Sequence, residues 1–105
     1  MVIYEITAIV SPALTQAFER YMREQHIPDV LATGYFTAAC FASSTSGRYR
    51  VRYEATSQES LDRYLTECAP RLRADFVAHF PDGIQLEREV WQRLERWTGP
   101  SSVCG

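Results

Sequence analysis

The amino-acid sequence predicts an α+β, ferredoxin-like fold with the order β-α-β-β-α-β and a four-stranded antiparallel sheet. Three observations carry that prediction. Period-two alternation of apolar residues marks Val2–Val10 and Arg48–Ala55 as strands. Apolar residues three and four apart mark a helical stretch after each of those strands. Turn-forming runs, Ser43-Ser44-Thr45-Ser46-Gly47 and Pro81-Asp82-Gly83, bound two further extended segments. Right-handed crossovers then place both helices on one face of the sheet and leave the other face to water or a partner.

In the first strand Val2, Tyr4, Ile6, Ala8 and Val10 point one way, and Ile3, Glu5, Thr7 and Ile9 the other. Ser11 is the expected N-cap of the first helix, with Pro12 at its first position. Leu14, Ala17, Phe18, Tyr21 and Met22 form its apolar stripe. The helix is expected to end near His26, because Ile27 precedes Pro28 and is pushed out of the α region. A short turn over Asp29–Thr33 follows, closed by Gly34. Tyr35–Ser44 reads as the second strand. In the third, Tyr49, Val51, Tyr53 and Ala55 alternate with Arg48, Arg50, Arg52 and Glu54. Thr56 and Glu59 have capping-box spacing at the start of the second long helix. Its broad apolar face runs from Leu61 to Phe80, with a kink or a break expected at Pro70. Ile84–Trp97 reads as the last strand, with imperfect alternation. Residues 1–97 are expected to form one domain and residues 98–105 a flexible tail.

Composition narrows the function. The chain has 105 residues, 46% of them apolar, and a net charge of −2. That balance offers no electrostatic footprint for nucleic acid or an anionic membrane. All 11 basic residues are arginine. A lysine Schiff base, a pyridoxal aldimine and a P-loop lysine are therefore excluded, and an anion site has to use arginine, histidine or backbone N–H groups. Cys40, Cys68 and Cys104 show no C-x-x-C spacing, which points to reduced thiols and a cytoplasmic setting. His26 and His79 have no cysteine beside them, so no metal site is expected. The first residues reach Glu5 too soon for a signal peptide, and no apolar run approaches membrane-spanning length.

The segment from His26 to Phe36, His-Ile-Pro-Asp-Val-Leu-Ala-Thr-Gly-Tyr-Phe, resembles a bacterial family of uncharacterised small proteins in the dimeric α+β barrel group. The resemblance continues through Tyr49-Arg50-Val51-Arg52-Tyr53, Arg63-Tyr64 and Ala69-Pro70-Arg71-Leu72-Arg73, and fades after Gly83. It spans about residues 2 to 90. Three positions depart from the family pattern. Cys68 and Phe76 stand where histidines are usual, and Arg52 stands where glutamine is usual. The resemblance implies a homodimer closed over the open sheet face and brings no assigned chemistry. The wider barrel group includes cofactor-free monooxygenases, polyketide cyclases, isomerases and dehydratases, and fold alone selects none of them.

The candidate site residues follow from the alternation. Glu5, Thr7, Arg50, Arg52 and Glu54 share the face away from the helices and form one polar patch. Closed by a second subunit, that patch would line a cavity. Arginine forks there suit a carboxylate, phenolate or enolate, or pair internally with Glu5 or Glu54. Arg50, Arg52, Glu5, Thr7 and Tyr4 are the expected substrate-binding residues. Glu54 and His26 are candidates for proton transfer, and Tyr53 for polarising an oxyanion. His26 has a second explanation as a helix C-terminal cap, and His79 likewise. Cys68, on an apolar helix face, is expected to be an inert thiol. The expected function is a cofactor-free small-molecule enzyme using proton transfer in a cyclisation, isomerisation or dehydration of a polyketide- or aromatic-like substrate. The alternatives are a cofactor-free monooxygenase and a non-enzymatic homodimer that binds a metabolite or a protein.

Overall fold

The computed structural model describes residues 1–100. Four strands, β1 (Val2–Val10), β2 (Ala38–Ser43), β3 (Arg48–Ala55) and β4 (Ile84–Gln92), form one sheet in the order β2-β3-β1-β4. All three pairings are antiparallel. Helices α1 (Thr15–Tyr21), α2 (Ile27–Ala32), α3 (Gln58–Glu67) and α4 (Ala69–His79) complete the ferredoxin-like order.

The β1–β3 register places Tyr4 opposite Tyr53 and Glu5 opposite Arg52. One face of this central pair is therefore Val2, Tyr4, Ile6, Ala8, Val10, Tyr49, Val51, Tyr53 and Ala55, all buried except the half-buried Ile6. Phe18, Tyr21, Leu61, Tyr64, Leu72, Phe76 and Phe80 cover it from the helices. Tyr4, Phe36, Tyr53 and Tyr64 pack as one aromatic cluster, with Phe36 and Tyr64 centroids 4.8 Å apart. Arg48, Arg50, Arg52 and Glu54 point to the opposite, uncovered face, as the alternation predicts.

Several expectations need correction. The first helix does not end at His26. It opens as a 3₁₀ turn over Pro12–Leu14, without a side-chain cap from Ser11, and runs through α1 into a π-helical turn over Met22–His26. Ile27 stays helical, at φ −63° and ψ −45°, and its N–H donates to the Met22 carbonyl five residues back. The wider turn relieves the clash that the Pro28 ring would make with the preceding turn, so the chain continues directly into α2. The cap of α3 is Ser57 rather than Thr56, its hydroxyl accepting from the Ser60 N–H at 3.1 Å. Ladder pairing of β2 starts at Ala38 rather than Tyr35, and β4 ends at Gln92 rather than Trp97. Cys40 is disulfide-bonded and Cys68 is a free thiol, so the expectation of reduced cysteines fails at Cys40. Cys104 and the end of the expected tail, residues 101–105, lie outside the described residues.

The break expected at Pro70 is present. The helix stops at Cys68 and restarts at Ala69, with Pro70 in the first turn of α4, where its missing N–H costs nothing. Gly83 is required where the 3₁₀ turn before α1 approaches. Its φ is +86°, and a Cβ there would meet Leu14 Cδ1 at 2.6 Å. Among the described residues no helix is long and apolar enough to cross a membrane.

The position of the α3 cap is testable. Ser57→Ala should cost about 1 kcal/mol, because it orphans the Ser60 N–H, while Thr56→Ala should stay within about 0.5 kcal/mol. Urea denaturation of the two variants measures both.

Candidate functional site

On the uncovered face Glu5 joins three strands. Its Oε1 accepts from Arg52 Nε at 2.8 Å and lies 3.8 Å from Arg50 Nε, while its Oε2 accepts from Trp91 Nε1 at 3.2 Å. Partial burial raises the Glu5 pKa, but the Arg52 and Trp91 hydrogen bonds and the two guanidinium charges outweigh it and hold the carboxyl below its ordinary range. The anion that Arg52 needs is thus supplied within the chain. Glu54 is likewise paired, with Arg93 at 2.9 Å. Glu5, Thr7, Arg50 and Arg52 line a shallow basin of about 370 Å3.

A second, more enclosed cavity of about 80 Å3 lies between the sheet and the helices. Tyr53, Tyr64, Phe76 and His26 form its inner wall, and the exposed residues Arg73, Val77 and Arg88 stand at its edge. Each is placed by a simple element. Tyr53 comes from the centre of β3. The π-helical turn aims His26 at the core, where its ring packs against Phe76 with centroids 5.7 Å apart. Arg73 lies on the inner stripe of α4 and donates to the Tyr4 hydroxyl at 3.1 Å. Arg88 sits on β4 opposite Ile6, on the helix side of the sheet.

Two buried polar atoms at this cavity have no hydrogen-bond partner among the described residues, the Tyr53 hydroxyl and His26 Nδ1. Buried polar groups are nearly always satisfied, so these two atoms are the polar groups of the cavity wall that the protein itself leaves open to a further hydrogen bond. Burial lowers the His26 pKa against the opposing pull of Asp29 and Asp75, so the imidazole is neutral at neutral pH. Burial pushes the Tyr53 phenol far above its ordinary value and Tyr64 up to about 12. Tyr53 is therefore a hydrogen-bond donor and never a base, while His26 is free to accept a proton.

The residues expected to form one site thus fall on two faces. His26, Tyr53 and Tyr4 meet at the interior cavity. Arg50, Arg52, Glu5 and Thr7 meet on the open face, and Glu54, paired with Arg93, points to that face too. The sheet separates the sets because Tyr4 and Tyr53 are the in-facing neighbours of Glu5 and Arg52. Of His26, His79 and Cys68, only His26 lines the interior cavity; His79 stacks on Tyr21 with centroids 4.2 Å apart. Sequence reasoning overlooked Arg73 and Arg88. The signal for Arg88 was a charge inside the apolar row Ile84, Leu86, Val90, and for Arg73 its place between Ala69 and Phe76 at helical spacing. Among the described residues no three His, Cys, Asp or Glu side chains converge to hold a metal ion.

The His26 environment predicts a pH dependence. Its folded-state pKa lies below the ordinary 6.5, so the unfolded chain takes up the proton first. The His26 contribution to stability is complete above about pH 6.5 and declines as the pH falls from there toward the folded-state value. Urea denaturation from about pH 5 to 8 should show that slope, and His26→Gln should remove it.

The model of a domain of unknown function, DUF4286, matches residues 1–94. No curated protein sequence matches the chain. Solved structures of low identity share its fold. A candidate antibiotic biosynthesis monooxygenase from Nitrosomonas europaea aligns with a TM-score of 0.69 at 15% identity, over 90% of this chain and 100% of that one. A second such protein, from Deinococcus radiodurans, aligns with a TM-score of 0.70 at 12% identity, over 96% and 100%. SnoaB, a cofactor-independent oxygenase from Streptomyces nogalater, aligns with a TM-score of 0.70 at 9% identity, over 90% and 95%. These likenesses establish the shared architecture. The family follows from the sequence itself: with its first 94 residues matched, the chain belongs to the DUF4286 family.

Proposed function

We propose that this chain is a cofactor-free homodimeric enzyme that moves a proton on a small organic molecule held in the interior cavity. The observation that carries the reading is the pair of unpartnered buried atoms, Tyr53 Oη and His26 Nδ1, at one enclosed cavity. Neutral His26 takes a proton from carbon next to a carbonyl and returns it at a second position. Tyr53 donates a hydrogen bond to the enolate oxygen formed between the two transfers. No electrons leave the substrate, so isomerisation, dehydration and cyclisation are all within reach of this pair. The similarity to SnoaB, described as a cofactor-independent oxygenase, supports a second reading with the same first step. There the deprotonated substrate itself would react with dioxygen.

The open face supports the homodimer. β3 carries Arg48, Arg50 and Arg52 there, with Glu54 at the end of the row paired to Arg93, and β4 carries Glu87 and Glu89. In a two-fold contact between open faces, the arginine row of one copy meets the glutamate row of the other. Ile9 and Trp91, 40% and 49% exposed, supply apolar area on the same face. In this reading Glu5, Arg50 and Arg52 serve the interface, and Thr7 stands beside them.

Two measurements test the proposal. Wild-type protein should exchange solvent deuterium into members of a panel of small enolisable ketones and acids. His26→Ala should lower the rate by about 10²-fold or more, and Tyr53→Phe by a similar factor. Exchange unchanged in His26→Ala would remove the assignment. Sedimentation at micromolar concentration should give a dimer burying more than about 1,000 Å2, and Glu89→Arg should shift it toward monomer.

A further inference from the structure

We infer that Arg73 and Arg88 form an anion-binding gate at the mouth of the interior cavity, and that the site takes short-chain monocarboxylates. The inference rests on the proposed use of that cavity and adds the chemical class of its ligand. The two arginines come from different elements, α4 and β4, and line the same cavity. The guanidiniums of Arg23, Arg50, Arg52, Arg63 and Arg93 are ion-paired. Among the described residues Arg73 and Arg88 are in no ion pair, and of the arginines without one, Arg20, Arg48, Arg71, Arg73, Arg88 and Arg96, these two line the interior cavity. The Arg73 guanidinium donates to the Tyr4 hydroxyl at 3.1 Å, a neutral partner that orients it and leaves its charge uncompensated. Arg88 occupies a row in which Ile84, Leu86 and Val90 are apolar and Gln92 stands at the end. Arg88 is exposed on the helix side of the sheet, across from the outward row of β4 that carries Glu87 and Glu89, so its charge stands at the cavity edge away from those carboxylates. Guanidinium forks match the two oxygens of a carboxylate.

Size sets the rest of the molecule. An apolar cavity of about 150 Å3 accommodates a six-carbon ring. At the same packing, the 80 Å3 here holds about three carbon atoms. With a carboxylate between the arginines, the ligand has about six non-hydrogen atoms. A fused aromatic system does not fit these walls. Inside the rim arginines the wall is apolar apart from His26 and the hydroxyls of Tyr4, Tyr49, Tyr53 and Tyr64, with that of Tyr49 committed to Glu19, so the buried end of the ligand is hydrocarbon or a single carbonyl. The carboxylate stays at the rim beside water, and the carbons next to it reach the histidine.

Butyrate and its neutral isostere butyramide are the probes, titrated at constant ionic strength and followed by the NMR signals of the His26 and Tyr53 rings. Butyrate should shift both sets of signals saturably, and butyramide should leave them in place. Arg73→Gln and Arg88→Gln should each weaken butyrate by about tenfold or more, the scale of a lost charge-assisted hydrogen bond. Equal shifts from butyramide, or unchanged butyrate binding in both arginine variants, would overturn the gate and leave the cavity reading standing. No shift from either compound would overturn both, because the cavity would then be closed to a ligand of its own size.

Discussion

The register between β1 and β3 is the constraint on which the other features depend. Tyr4 faces Tyr53 and Glu5 faces Arg52, so a single pairing decides which side of the sheet is aromatic and which is charged. A slip of one residue would send Glu5 under the helices and Tyr4 into water. The tyrosines alone make such a slip costly, since Tyr4 and Tyr53 each contact Phe36 in a cluster closed by Tyr64. Glu5 fixes the same register from the other side, joining Arg52 on β3 to Trp91 on β4.

This division gives the two faces different electrostatics. On the open face each carboxylate near the centre already has a guanidinium, so the network is satisfied as it stands and extra binding has to come from outside charges matched to whole rows. At the interior cavity the reverse holds. The polar atoms are few, they are surrounded by aromatic carbon, and two of them are unsatisfied among the described residues. A hydrogen bond formed there acts in a low dielectric and is worth more than the same bond on the open face. The proposed function accordingly assigns chemistry to the side with few polar groups and recognition between copies to the side with many.

Much of the fold was legible because it is written in periodicity. Val51, Tyr53 and Ala55 against Arg50, Arg52 and Glu54 announce both the strand and its two faces. The break before α4 was legible from Pro70. The π-helical turn was not, because Ile27-Pro28 carries a local signal to stop that the wider turn overrides. The cap of α3 shifted by one residue because Thr56 and Ser57 are both acceptable caps and only the end of β3 chooses between them. For the candidate site, each named side chain could be assigned to a face, yet grouping His26 and Tyr53 with Arg50 and Arg52 ignored that the sheet lies between them. Arg73 and Arg88 were missed since arginines on a helix and an edge strand are ordinary surface residues until a cavity is seen beside them.

The π-helical turn ties the site to chain length. One extra residue over Met22–His26 is what brings the imidazole inward; the ring direction and the residue count are the same degree of freedom. Deleting one residue from this turn would restore a continuous α-helix and rotate everything before it by about 100°, with no change in the core stripe beyond it. That rotation would carry Phe18 and Tyr21, both buried, out of the core, so the packing of α1 holds the extra residue in place and with it the direction of the imidazole.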